Sequence, residues 1–303
     1  MIDFKAIKLE DKKQYEHYLM DGNTRSCEFS FANLYLWGRQ NATILYDHMV
    51  LFSQFNCKSV YPYPVGTGDK KPVLDAIIAD AKERGIPCRI TGLNTEGIET
   101  LRTLYPDRFL FHCDRGSFDY VYDINDLADL PGKKYQKKRN HCNRFRTDYP
   151  NYKVCPLSKE NVSLVQQMLD TWYENKQQEN PESDFLMERI AINKALRKYE
   201  EIGMDGLVLF HNDEVLGFTM GSPLSPDTYD INFEKAKGDV NGAYAIINYE
   251  FARYLREKYP SLRFLDREED MGIEGLRIAK ERYFPHHMAE KCWAHLMEDG
   301  YEY

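Results

Sequence analysis

The chain has 303 residues, 43% hydrophobic and 29% charged, with 40 Lys+Arg against 48 Asp+Glu and a formal charge of −8. That composition excludes disorder, collagen and a coiled coil, and the length suggests two domains. The acidic balance argues against a body coated in cations for nucleic acid or anionic lipid. No run approaches the ~20 apolar residues of a transmembrane helix, and residues 1–13 are too charged for a signal core, so a cytoplasmic protein is expected. The seven cysteines are odd in number and scattered, without a CxxC pair; free thiols in a reducing compartment are expected. His286 and His287 are adjacent and cannot easily converge on one ion, so no metal site is expected.

In chain order, residues 42–55 read as a hairpin-like run and 59–65 as a strand. A helix over 71–84 is stopped by Gly85 and Pro87. A strand over 88–92, a helix over 95–105 stopped by Pro106, and a strand pair over 108–123 follow. Gly66-Thr67-Gly68-Asp69-Lys70-Lys71 reads as a loop that could also turn around a phosphate. Residues 133–146 hold Lys133, Lys134, Lys137, Lys138, Arg139, Arg144 and Arg146 and no acid. At helical spacing Tyr135, Cys142 and Phe145 form a narrow apolar seam. The cationic remainder is either a solvated face or a docking strip for a polyanion such as tRNA.

The second half reads as a strand over 152–157, a helix over 158–176 and a helix over 185–202 closed by Gly203. A strand pair over 206–220 turns at Asn212-Asp213. In the next strand, 229–236, Tyr229, Ile231 and Phe233 alternate with Asp230, Asn232 and Glu234. A polar loop over 238–242 leads into a helix over 243–258. A strand over 262–265, a helix over 272–283 and a final strand over 289–296 complete the chain. The later order repeats that of the first half. Gly97-Ile98-Glu99-Thr100-Leu101-Arg102 matches Gly272-Ile273-Glu274-Gly275-Leu276-Arg277 at five of six positions, which points to an internal duplication. The expected division is 1–125, a basic linker helix 126–148, and 149–303.

An antiparallel run followed by strand, loop, helix, strand, helix and strand resembles the GNAT acyltransferase fold. The fold class is therefore α/β (α+β): two tandem GNAT-like domains, each a mixed, mainly antiparallel sheet flanked by helices. In that fold the loop before the crossover helix offers backbone N–H groups to the pyrophosphate of an acyl-coenzyme A. The matching segment, Asp239-Val240-Asn241-Gly242-Ala243-Tyr244, keeps the glycine. It has an acid first and a bulky Tyr last, where the fold's usual pattern has Gln or Arg and a small residue. Gly242, Ala243 and Tyr244 are the candidate donor-binding positions here.

Three separated strings go further. They are Gly132-Lys133-Lys134 through Asn143-Arg144-Phe145, Phe233-Glu234-Lys235-Ala236, and Arg267-Glu268-Glu269-Asp270-Met271-Gly272 through Lys280. Together they resemble the phosphatidylglycerol lysyltransferase C-terminal-domain-like family. The resemblance covers most of the chain and implies two tandem GNAT folds, related to Fem-type transferases that move an aminoacyl group from a charged tRNA. Two departures stand out. The lipid-modifying members carry a large membrane domain ahead of this region, and none is expected here. Asp266 replaces the family's usual Asn before Arg-Glu-x-Asp.

Glu234 ends the polar side of its strand, where a carboxylate can accept a proton from an acceptor amine; a salt bridge with Lys235 or a nearby Arg is its structural alternative. Arg267, Glu268, Glu269 and Asp270 follow a strand end, where ligands of such sheets gather. Arg267 suits a carboxylate or phosphate and the acids suit an amine; capping of the next helix is the alternative. Asp270 joins Glu234 as a catalytic candidate. Tyr283 is placed on the last helix as a general acid by analogy with some acetyltransferases. Asn232, Lys235 and Arg277 complete the substrate-binding candidates, and Lys133, Lys137, Lys138 and Arg139 are candidate phosphate ligands. Glu250, in the middle of an apolar helix face, is expected to pair with Arg267 or Arg277.

The leading expectation is transfer of an aminoacyl or acyl group to an amine or hydroxyl of a small or lipid-like acceptor. The donor would be aminoacyl-tRNA or acyl-coenzyme A, with no tightly bound cofactor. The alternatives are an acetyl-coenzyme-A-dependent N-acetyltransferase on a small amine and a non-catalytic GNAT-fold binding protein.

Overall fold

The computed structural model describes all residues except 23, 56–57, 180, 183–184 and 298–303; Cys57 lies outside the described residues. The chain divides into two compact units. One comprises Met1–Tyr120, Glu268–Lys280 and His287–Tyr303, the other Val121–Arg267 and Glu281–His286.

The first half of the chain contributes β1 (Lys5–Ala6), α1 (Lys12–Asp21), α2 (Phe31–Trp37), β2 (Gln40–Leu45), β3 (His48–Phe55), β4 (Lys58–Pro62), α3 (Lys70–Arg84), β5 (Arg89–Leu93), α4 (Thr95–Leu104) and β6 (Phe109–Cys113). Strands β2 and β3 form a hairpin whose turn residues Tyr46 and Asp47 both take positive φ, 50° and 56°, matching the twist of the strands. Strand β4 runs parallel to β5, with α3 as the crossover. Asp69 caps α3 by accepting from the Lys71 N–H, and Gly85 closes it in the left-handed region. Val73, Leu74, Ile77 and Ala81 of α3 pack with Tyr61, Ile90, Leu93 and Leu101 in the core. Helix α1 escapes the periodicity reading because only Tyr15 and Leu19 are buried along it.

The chain continues through β7 (Asp119–Asp123), α5 (Ile124–Asp129), α6 (Gln136–Asp148), β8 (Lys153–Pro156), α7 (Val162–Glu179), α8 (Leu186–Ile202), β9 (Asp205–His211), β10 (Glu214–Ser225), β11 (Thr228–Ala236), α9 (Ala243–Lys258), β12 (Phe264–Asp266), α10 (Glu274–Glu281), β13 (His287–Ala289) and β14 (Cys292–Leu296). The predicted turn between β9 and β10 is present, with Asn212 and Asp213 at φ 46° and 69°. Strands β11 and β12 are parallel, and α9 is their crossover. It buries Ala243, Ile246, Ile247, Phe251 and Leu255. Each half thus contains one parallel β–α–β crossover in a mainly antiparallel sheet.

The structure corrects several expectations. The final strand does not complete the second half's sheet. The first sheet runs β1-β2-β3-β4-β5-β14-β6, with β14 antiparallel to both β5 and β6. Strand β7 instead pairs with β12, giving the order β7-β12-β11-β10-β9-β8. Alternation explains why β14 fits there: Cys292, Ala294 and Leu296 join the first unit's apolar cluster.

Two of the expected free thiols, Cys113 and Cys292, form a disulfide. They lie opposite one another in the β14–β6 register, close enough for a bond. Cys27, Cys88, Cys142 and Cys155 are free. The basic segment is not one helix: a turn carries Lys133 and Lys134 before α6 begins at Gln136. Strand β11 is buried on both faces, because Asp230 and Asn232 are covered as well as Tyr229, Ile231 and Phe233.

Candidate active site

In the second unit, the parallel pairing of β11 with β12 covers only Thr228↔Phe264, Tyr229↔Leu265 and Asp230↔Asp266. Beyond it β11 continues to Ala236 while β12 ends at Asp266. The two strands therefore part at their carboxyl ends, where open α/β sheets collect ligands. Glu234 of β11 and Arg267, just after β12, meet there. Arg267 Nη2 donates to Glu234 Oε1 at 2.9 Å, and Asn248 Nδ2 of α9 donates to Oε2 at 3.5 Å. The side chains are 10% and 17% exposed, Glu234 and Arg267 respectively. A charge so covered needs a partner, and each supplies the other's.

Tyr283 sits just past α10, not on it. Its ring centroid is 5.0 Å from the Arg267 guanidinium carbon. Its hydroxyl makes no hydrogen bond among the described residues. Burial pushes this phenol up, against the pull of Arg267. Lys138 of α6 completes the group, its Nζ 3.4 Å from the Tyr283 ring centroid. Burial, then Arg267 and Arg282, lower this ammonium to about 8. The structure thus brings Glu234, Arg267, Tyr283 and Lys138 together.

Asn232 and Lys235 are engaged elsewhere. Asn232 donates to Asp230 Oδ2 at 2.7 Å and accepts from Ser222 Oγ at 2.9 Å. Lys235 pairs with Glu188 at 2.7 Å and lies over the Trp172 ring. Glu250 pairs with Arg146 at 3.5 Å and accepts from Tyr152 Oη at 3.1 Å, not with Arg267 or Arg277.

In the first unit, Glu268 and Met271 take positive φ beside Gly272, and the two non-glycine residues carry strain that needs firm support. Asp270 supplies it. Fully buried, it accepts from Tyr120 Oη at 2.7 Å, Arg277 Nε at 2.8 Å, Arg115 Nη1 at 3.1 Å and the Gly272 N–H at 2.8 Å. Arg277 leads the interactions that hold its carboxyl well below the usual range. Asp270 and Arg277 therefore anchor this loop to the start of α10, a positioning role by their contacts.

Glu269 and Asp119 both contact Lys291 at 2.8 Å. Asp119 Oδ2 also accepts from the Cys27 N–H at 2.9 Å. Burial pushes Asp119 up to about 7 despite the pull of Lys291. Burial, with Glu269 and Asp119 nearby, raises Glu268 to about 8. Cys27, Asp119 and Glu269 bring ligand atoms within 4.8 Å of one another, but the Lys291 ammonium already lies against both carboxylates. Cys27, Asp119 and Lys291 are not legible as a cluster, since they lie far apart in sequence and belong to no local motif.

The basic segment is partly neutralised. Lys134 pairs with Asp126, Arg144 with Asp148 and Arg146 with Glu250. Arg139 donates to the Leu130 and Gly132 carbonyls. Lys133 and Lys137 stay exposed, without an ion pair among the described residues. The apolar seam is present as predicted: Tyr135, Cys142 and Phe145 are all buried.

At the candidate donor loop Gly242 is the N-cap of α9, with φ 85°. A Cβ there would lie 2.8 Å from the His141 carbonyl oxygen and 3.1 Å from Phe145 Cβ, so α6 presses on the loop. Ala243 is buried, whereas Tyr244 is 41% exposed. In the first unit, Gly66, Thr67, Gly68 and Lys70 line a cavity of about 940 Å³. Lys70 Nζ donates to the Pro64 and Gly66 carbonyls. Among the described residues no helix is long and apolar enough to cross a membrane.

Residues 21–295 match the family model described as "Phosphatidylglycerol lysyltransferase, C-terminal". The chain is 37% identical to a conserved protein of unknown function from Bacteroides thetaiotaomicron, covering 98% of this chain and 100% of that one at a TM-score of 0.92. It resembles L-PGS from Bacillus licheniformis at TM-score 0.69 and 15% identity, covering 98% and 94% of the chains. A tandem GNAT protein from the clavulanic acid biosynthesis pathway matches at TM-score 0.50 and 8% identity, over 98% and 99%. These last two likenesses show the tandem GNAT fold. An uncharacterised protein of Mycoplasmoides gallisepticum is 25% identical over 56% of this chain, and the match spans 53% of that protein's own length.

Proposed function

Because the chain belongs to the phosphatidylglycerol lysyltransferase C-terminal family, we propose that it is an acyltransferase that moves an aminoacyl group from a tRNA-borne ester to an amine or hydroxyl of a small or lipid-like acceptor. The Arg267–Glu234 pair in the parting of β11 and β12 carries this reading. The acceptor's nucleophilic atom attacks the ester carbonyl and gives its proton to Glu234. Arg267 balances the carboxylate and the oxyanion of the tetrahedral intermediate. Collapse expels the carrier's hydroxyl oxygen, which takes the Tyr283 proton. The proton on Glu234 then passes through solvent to the Tyr283 phenolate, which restores both groups to their starting state.

The donor side of the proposal rests on two further points. Lys133 and Lys137 offer free cations to a polyanion. The α9 loop suits coenzyme A less well, because Asp239 replaces a donor residue and α6 crowds Gly242.

The test is transfer of a labelled aminoacyl group from a charged-tRNA pool to a panel of amine, hydroxyl and phospholipid acceptors. Glu234→Gln should lower transfer by on the order of 10²-fold; because it also leaves Arg267 without its counter-charge, transfer is compared at a temperature where circular dichroism shows both proteins folded. Transfer unaffected by Glu234→Gln would rule out the assigned roles. Acetyl-coenzyme A raising the melting temperature, together with acetylation of a small amine, would replace the donor assignment.

A further inference from the structure

Helix α6 presents its lysines in two directions. Lys137 is exposed, whereas the next residue, Lys138, is half-buried and faces the ring of Tyr283. Lys138 makes no hydrogen bond or ion pair among the described residues. Burial apart, the groups that act most on it are Arg267, Arg282, Cys142 and Glu234. Its ring contact is Tyr283. The one carboxylate in that set, Glu234, is held by Arg267 at 2.9 Å. Among these groups cations outnumber acids, and the Tyr283 ring face replaces only part of the ammonium's hydration, so the position favours an added anion. The Tyr283 hydroxyl is a further donor without a protein acceptor among the described residues.

We infer that Lys138 and Arg267 form a subsite for a phosphate ester of the substrate, distinct from the outward-facing cations of α6, with the Tyr283 hydroxyl left for the leaving oxygen. The inference takes the parting of β11 and β12 as the reaction site and so rests on the proposed function. Two cations match the acceptor oxygens of a phosphate, and Arg suits its paired oxygens. A chain of phosphates passing Lys133 and Lys137 would meet Lys138 on the half-buried side of α6. The low ammonium value has a direct consequence. Lys138 is charged at neutral pH and loses its proton as pH rises through about 8. Affinity for an anion must then fall over that range, although the bound anion itself delays the loss.

The test is calorimetric titration of the full chain with AMP and with sn-glycerol 3-phosphate at pH 7.0 and 9.5. Binding is read without turnover, so the subsite and the transfer reaction can fail separately. Lys138→Met should weaken whichever ester binds on the order of tenfold. Lys138→Arg should bind at pH 7.0 and keep its affinity at pH 9.5, where the wild type loses it. A preference for AMP assigns the ester to a nucleic-acid carrier, and a preference for glycerol phosphate assigns it to a lipid head group. Neither ester binding to wild type, or Lys138→Met binding both as tightly as wild type, would overturn the subsite. So would a wild-type affinity as insensitive to pH as that of Lys138→Arg.

Discussion

Replacing Lys291 with Met tests the electrostatic design of the first unit. Lys291 is 3% exposed and contacts Asp119 and Glu269 at 2.8 Å each. Methionine keeps the apolar stem and removes the ammonium. Asp119, fully buried, and Glu269 are then left facing each other without a counter-charge. Breaking a buried ion pair by deleting one partner costs about 3–5 kcal/mol. With an m-value of ~2–3 kcal/mol/M, the urea midpoint should fall by roughly 1–2 M at pH 8.

The pH dependence gives the sharper check. Asp119 is already raised to about 7. A raised acid binds protons more tightly in the folded state, so its stabilising contribution is present at low pH and is lost as pH rises through 7. Without Lys291 its proton is held more tightly still. At pH 5.5 Asp119 is then neutral, one of the two unpaired charges disappears, and the loss should shrink to about half. Unfolding of both proteins in urea at pH 5.5 and pH 8, followed by circular dichroism, measures this. Equal losses at the two pH values, or a variant within ~1 kcal/mol of wild type at pH 8, would refute the reasoning.

Three other outcomes follow from the same structure. Asp270→Asn should lower Tm by several degrees at pH 7; the depressed Asp270 contributes stability above the ordinary carboxylate range and loses it as pH falls, so the gap to wild type should narrow toward pH 3 in calorimetry. Reversing Lys133 and Lys137 to Glu should leave Tm unchanged, because neither has an ion pair among the described residues, and should weaken tRNA binding with a salt slope shallower by about 2; a melting curve reads the first and filter binding across a salt series the second. The Cys113–Cys292 bond closes a sequence separation of 179 residues. Cys292→Ser should therefore lower Tm in non-reducing buffer by more than it does with reductant present, and intact mass spectrometry should show the wild type one hydrogen pair lighter before reduction.

The legible parts of the fold are those that local chemistry determines. Asn212-Asp213 specifies a hairpin because both residues tolerate the left-handed region. Tyr135, Cys142 and Phe145 find the core because their spacing puts them on one face of a helix. The strict alternation of β11 marks a strand, but it does not show how deeply the polar face is covered. Asp230 and Asn232 are buried because they satisfy one another and Ser222, which hydropathy alone does not show. Helix α1 was missed for the opposite reason, since so few of its residues are buried.

The candidate site was legible as residue types and only partly as partners. Glu234 and Arg267 were both singled out, and the structure pairs them across 33 positions of sequence. Glu250 was expected to pair with Arg267 or Arg277 and pairs with Arg146. Lys138 was read as one cation of a strip, yet it turns inward while Lys137 remains outside.

By itself the sequence determined the two β–α–β crossovers, the turns, the apolar seam of the basic helix and the family motifs, because periodicity and turn preference act over a few residues. Tertiary structure alone decided that β14 enters the first sheet and β7 pairs with β12, that Cys113 and Cys292 meet, and which acid each buried cation finds. A buried charge or thiol responds to whatever folding places within a few ångströms, and that neighbour can lie anywhere along the chain.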